Sequence, residues 1–165
     1  MGEMYVECLV KGRKNSKALA LRTVFIIATI IFVVTAILYT PYLFILVVFS
    51  AFGIYMSNQY VNVEYEYLYL DKELTIDVIY NQNKRKKIAT YLIERMEVFA
   101  PIKSYHLDNF GKVDPKAKDY SIGYEDQPDL RYVMFFEGRE QIILSPNEEL
   151  IKAMKLTAPR KVFTD

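Results

Sequence analysis

From Thr23 to Val63 the chain carries no charged side chain, a run of 41 positions. Soluble domains place charge at about a quarter of their positions, so this stretch cannot present an ordinary aqueous surface. In Val24–Leu38, thirteen of fifteen residues are Ala, Val, Ile, Leu or Phe, with Thr29 and Thr35 the exceptions. Leu43–Met56 is similar, interrupted by Ser50, Gly53 and Tyr55. As one helix, Val24–Met56 would run roughly 50 Å, well beyond a hydrocarbon core of ~30 Å. As two, over 18–38 and 42–60, each segment measures about 30 Å. Pro41 biases Thr40 out of the helical region and supplies the break. Tyr39, Tyr42, Tyr55 and Tyr60 fall near the helix ends, where amphipathic rings favour an interface. Insertion of the first segment gains roughly 3–7 kcal/mol and of the second roughly 3–5 kcal/mol. The pattern therefore predicts a transmembrane helical hairpin over 18–60. Buried helices of a soluble protein would keep a polar face, and a cleaved leader would be shorter. A shallow hairpin within one leaflet also fits the short loop.

The flanks set an orientation. Residues 1–22 hold five basic and two acidic side chains. Lys11, Arg13, Lys14, Lys17 and Arg22 precede the first helix, and the connecting loop is uncharged. Basic residues stay on the cytoplasmic side. A multi-pass protein of the cell membrane with both termini cytoplasmic follows, with 1–17 as a basic arm whose cations set topology. Residues 64–165 carry sixteen basic and eighteen acidic side chains, which argues against a nucleic-acid partner. Cys8 is the only cysteine, which excludes an internal disulfide and a Cys-based zinc site within one chain.

Residues 61–165 have the size of one small domain. Val61, Val63, Tyr65, Tyr67 and Tyr69 alternate with Asn62, Glu64, Glu66, Leu68 and Leu70, the period of a strand. Further strands are predicted over Leu74–Tyr80, Lys87–Tyr91, Met96–Ala100, Asp119–Tyr124, Tyr132–Phe136 and Gln141–Leu144. Ser145-Pro146-Asn147-Glu148 reads as a helix start with Ser145 as cap. Leu150, Ile151 and Met154 then follow at helical spacing until Pro159. Glu3–Val10 reads equally as an added strand or an interfacial segment. The expected class is an α+β membrane protein: a hairpin, then six or seven antiparallel strands, then one C-terminal helix.

That order resembles the pleckstrin-homology (PH)-like barrel, two sheets closed by a C-terminal helix. The runs VEYEYLYLDKELTIDVIYNQNKRKKIATYLIERMEVFAP (Val63–Pro101) and LSPNEELIKAMKLTAPRKVFTD (Leu144–Asp165) are similar to a family of small, functionally uncharacterised two-helix membrane proteins of Gram-positive bacteria. The resemblance implies a bacterial PH-like domain on a membrane anchor. It brings no catalytic residue, cofactor or ligand.

Lys84-Arg85-Lys86-Lys87 is the sharpest local feature. At a hairpin tip or strand start, such a cluster can contact anionic lipid headgroups, each cation contributing about 1 kcal/mol. It can equally be a solvated turn or a guard against edge pairing. His106 lies near Ser104 and Asp108, but no nucleophile elbow surrounds Ser104 or Ser121. Glu64 with Glu66, and Glu94 with Glu97, read as solvated positions rather than a glycosidase pair. No phosphate-binding glycine loop and no metal-ligand spacing appears. The function expected is therefore non-enzymatic: a membrane-anchored scaffold that binds a protein partner at the cytoplasmic face, assisted by lipid. The alternatives are an accessory subunit of a transport or envelope complex gripped through the hairpin and, less in keeping with the sequence, a lipid- or envelope-acting enzyme.

Overall fold

The computed structural model describes residues 5–122, 130–138 and 140–164. They form two compact units. One gathers the N-terminal segment up to Arg13, Glu64–Ile79 and the chain from Lys84 onward; the other is Lys14–Val63 with Tyr80–Asn83.

The first unit is built on strands β1 (Val6–Lys11), β2 (Val63–Leu70), β3 (Glu73–Tyr80), β4 (Lys84–Leu92), β5 (Met96–Pro101), β6 (Lys118–Asp119), β7 (Tyr132–Phe136) and β8 (Glu140–Leu144). They form two four-stranded sheets, ordered β1-β2-β3-β4 and β5-β7-β8-β6. β1 pairs antiparallel with β2, and β7 with both β5 and β8. The hairpin turns have two consecutive left-handed residues, Asp71 (φ 46°) with Lys72 (φ 70°) and Glu137 (φ 51°) with Gly138 (φ 62°). That geometry matches the right-handed twist of the strands it joins.

Tyr67, Tyr69, Leu74 and Ile76 from the first sheet meet Phe99, Met134 and Ile142 from the second in one core. Helix α3 (Glu148–Thr157) adds Leu150, Ala153 and Met154 to it. Val98, Val133 and Phe135 point to the opposite face of the second sheet. There Leu107, from a 3-10 segment at Tyr105–Phe110, covers them. The second sheet is thus buried on both faces, which explains the unbroken apolar run of β7.

Several boundaries differ from the sequence reading, each for a local reason. Among the described residues seven strands follow residue 61, as expected, and β1 adds an eighth. β1 resolves the N-terminal ambiguity: Cys8 and Val10 face the core opposite Tyr67 and Tyr65, while Glu3 and Met4 lie outside the described residues. Of the strand expected over Asp119–Tyr124, Asp119 alone among the described residues lies in a named strand, β6, which starts one residue earlier at Lys118 and runs parallel to β8. The chain turns away when Ser121 N–H donates to Asp119 Oδ1 at 2.9 Å. Gly123 and Tyr124 lie outside the described residues. β4 starts at Lys84 instead of Lys87 because Asn83 N–H closes the turn on the Tyr80 carbonyl at 3.1 Å. Asn147, not Ser145, caps α3, its side chain accepting from Leu150 N–H at 2.9 Å. Ser145 is buried, with its Oγ accepting from Ile122 N–H and its own N–H donating to Tyr67.

The second unit is a helix pair. Helix α1 (Ser16–Leu38) is capped by Asn15, whose side chain accepts from Lys17 N–H and Ala18 N–H. Its 23 residues reach about 34 Å. Thr40 is extended (φ −151°, ψ 133°), as a residue before proline must be. A 3-10 turn at Pro41–Leu43 leads into α2 (Phe44–Asn58). Both helical segments are long and apolar enough to cross a bilayer. Their seam is small and polar. Ser50, Ser57 and Ala36 are buried, and Thr29 Oγ1 lies 2.9 Å from Ser50 Oγ. A Cβ on Gly53 would sit 2.6 Å from the Phe25 ring, so only glycine permits this approach. Val24, Ile27, Ile30, Ile37, Val48 and Phe49 face outward.

Candidate functional site: the basic edge strand

The four cations singled out in the sequence all fall in β4, at one edge of the first sheet. Residues 84–88 are exposed; farther along, Ala89 and Tyr91 turn into the core. A strand sends successive side chains to opposite faces, so the four do not form one patch.

Arg85 has its own assignment. Its Nε donates to Asp77 Oδ2 at 2.7 Å, and its Nη2 pairs with Glu66. The guanidinium therefore reaches back over β3 to β2. Glu66 and Asp77 are 5% and 7% exposed, so this is a charge-assisted bridge to two buried carboxyls. The bond to Asp77, opposed by some desolvation and reinforced by the nearby carboxylates, raises the Arg85 pKa further. On β1, Glu7 accepts from the Tyr5 hydroxyl at 2.9 Å. That bond, then one from Glu66, holds Glu7 below the usual carboxylate range. Burial first, then the Glu7 bond, pushes Glu66 up against the pull of Arg85. The contact between the two carboxyls thus shifts them in opposite directions, Glu7 down and Glu66 up. Lys84, Lys86 and Lys87 are exposed on the same strand.

Glu66 was expected to be solvated and is instead buried. The strand pattern correctly put it on the face away from Tyr67. The register that gathers Glu66, Asp77 and Arg85 is a cross-strand property, with no signal in a single strand. The juxtamembrane cations take other places. Lys11 ends β1 opposite Glu64, Arg13 and Lys14 are exposed in the link, and Lys17 is in the first turn of α1. Arg22 Nη1 donates to Asn58 Oδ1 across the helix pair at 3.1 Å.

Ser104 Oγ caps the 3-10 segment by accepting the backbone N–H of His106 at 3.3 Å. The imidazole stacks on Phe163, with ring centroids 3.6 Å apart. An open hollow of about 420 Å³ beside them is lined by Lys103, Leu107, Asp108 and Lys112 among others. Among the described residues no group of three His, Cys, Asp or Glu side chains is placed to hold a metal ion.

A sequence profile described as a bacterial PH-like domain (DUF6106) matches residues 2–164. The chain belongs to this family. The two sheets and closing helix are consistent with its PH-like description. Because the match extends over nearly the whole chain, β1 and the helix pair belong to what the family shares. No curated protein and no solved structure matches the chain.

Proposed function

We propose that this PH-like protein is a membrane-anchored, non-enzymatic docking module. The helix pair spans the cytoplasmic membrane as a hairpin, both termini lie in the cytoplasm, and the sheet unit binds a protein partner there. The observation that carries this reading is the reversed polarity of the helix pair, with serine, alanine and glycine at the seam and isoleucine, valine and phenylalanine outside. In water such a surface is an aggregation hazard; in lipid it needs no cover. Small residues that let backbones approach are also what helix pairs in bilayers use. The anchor raises the effective concentration of the sheet unit for partners on the same membrane.

A reporter fused after Asp165 tests the topology. Fluorescence in the cytoplasm is expected, and activity only outside the membrane would overturn it. Contact of the run Lys84, Arg85, Lys86 and Lys87 with anionic headgroups is a second reading, favoured by the exposure of Lys86 and Lys87, since Arg85 is paired with Asp77 and Glu66. A subunit role in a transport or envelope complex is favoured by Phe49, Phe52 and Tyr55, exposed along α2. Co-purification of a fixed partner in mild detergent, lost when Phe49 and Phe52 become Ala, would select that role.

A further inference from the structure

We infer that the free edge of β4 accepts an extended acidic segment of a partner protein as an added strand, an inference that rests on the protein-docking reading above. An edge strand offers unpaired backbone N–H and C=O groups as a template, and strand addition is an established mode of peptide recognition.

The sheet edges are not equivalent. The outer side of β5 is already used: Phe99 N–H donates to the Lys161 carbonyl at 2.8 Å, and the Phe99 carbonyl accepts from Phe163 N–H at 2.9 Å. β6 has two residues. β1 has six and carries Glu7, which repels an acidic strand. β4 has nine residues and is the long, exposed edge among the described residues.

Its side chains specify the occupant. The sequence KRKKIATYL holds four cations and no acid. Arg85, the bulkiest of the four, is drawn inward by Asp77 and Glu66, so it lies away from the free edge. Lys86 and Lys87 remain to meet carboxylates. Ile88 and Leu92 follow, 39% and 37% exposed, and offer apolar contact beyond the charges. The complement is an extended strand, acidic where it faces 84–87 and apolar where it faces 88–92. A flat anionic membrane fits less well, because the Arg85 cation is paired with the buried Glu66 and Asp77, and Glu7 on the neighbouring β1 is exposed.

The test uses full-length protein in nanodiscs of neutral phosphatidylcholine and a labelled peptide with glutamates in its first half and alternating Val and Thr in its second. We expect saturable binding that slows amide exchange within 84–92. Lys86→Glu with Lys87→Glu should weaken it about tenfold, as two favourable cross-strand charge pairs become repulsive. Both residues are exposed, so an unchanged circular dichroism spectrum verifies the fold. A peptide N-methylated at alternate amides keeps the charge but cannot complete the ladder, and it should not bind. Equal binding of the N-methylated peptide, or no binding of either, overturns the inference. So does capture of phosphatidylglycerol vesicles that the same two substitutions abolish while the peptide stays unbound, which would assign the strand to lipid. Protection of 84–92 that depends on protein concentration without peptide would assign it to a second copy. A photo-crosslinker at Leu156 on α3, exposed, separates this failure from that of the docking reading. A protein adduct there in native membranes, insensitive to the lysine substitutions, defeats the β4 assignment and keeps the docking reading. No protein adduct at Leu156 or at Ile88 defeats both.

Discussion

In the sheet unit Phe99, Met134 and Ile142 are sealed away and lysines and glutamates face out; in the helix pair Ser50, Ser57 and Ala36 are sealed and Ile37, Val48 and Phe49 face out. The sheet unit needs water outside it, because its fold is driven by removing apolar area at about 25 cal/mol per Å². If the helix pair spans a bilayer as proposed, that term contributes nothing to it, and close packing of Gly53 on Phe25 and the Thr29–Ser50 contact hold it together. Equivalent substitutions should therefore differ in effect between the two regions.

The largest effect is expected for Phe99→Ala. The ring is fully buried, 5.0 Å from that of Tyr132, and truncation should cost about 3–5 kcal/mol. In detergent the β-sheet signal should melt earlier while the helical signal holds. Simultaneous loss of both would break the distinction between the regions. Tyr67→Phe should cost about 1–3 kcal/mol in the same assay. The buried hydroxyl donates to the Tyr120 carbonyl at 2.6 Å and accepts from Ser145 N–H at 3.2 Å, and its loss strands both. Gly53→Val should cost the helix pair about 1–3 kcal/mol by overpacking, read as lower thermal stability in detergent. Phe25→Ala should restore part of it; no recovery would mean the two residues do not meet. Ser50→Ala should have the smallest effect, about 0.6 kcal/mol, the average for such bonds between membrane helices. A loss above about 2 kcal/mol would show that the seam is polar glue first and packing second.

Much of this architecture was legible in the chain itself. The 41 uncharged positions, Pro41 and the alternation through Tyr65, Tyr67 and Tyr69 located the helices and the central strand. Local signals carried those elements because periodicity and proline act over a few residues. β1 was ambiguous because its partner β2 lies more than fifty positions away, and six alternating residues alone do not distinguish a strand from an interfacial segment. The helix seam is less visible in the chain, because the bulky Phe49 stands four positions before Gly53. The small residues are Ser50, Gly53 and Ser57, three and four apart on one helix face. The candidate site was half legible. The cations at 84–87 were visible, but the removal of Arg85 from their number depends on Glu66 and Asp77, brought to it by strand pairing.

The most direct measurement of the central claim is an alkaline carbonate wash of native membranes followed by flotation. The full-length protein should float with the lipid and enter solution only with detergent. Release by carbonate into a monodisperse, detergent-free monomer would contradict the spanning hairpin and with it the anchored docking module.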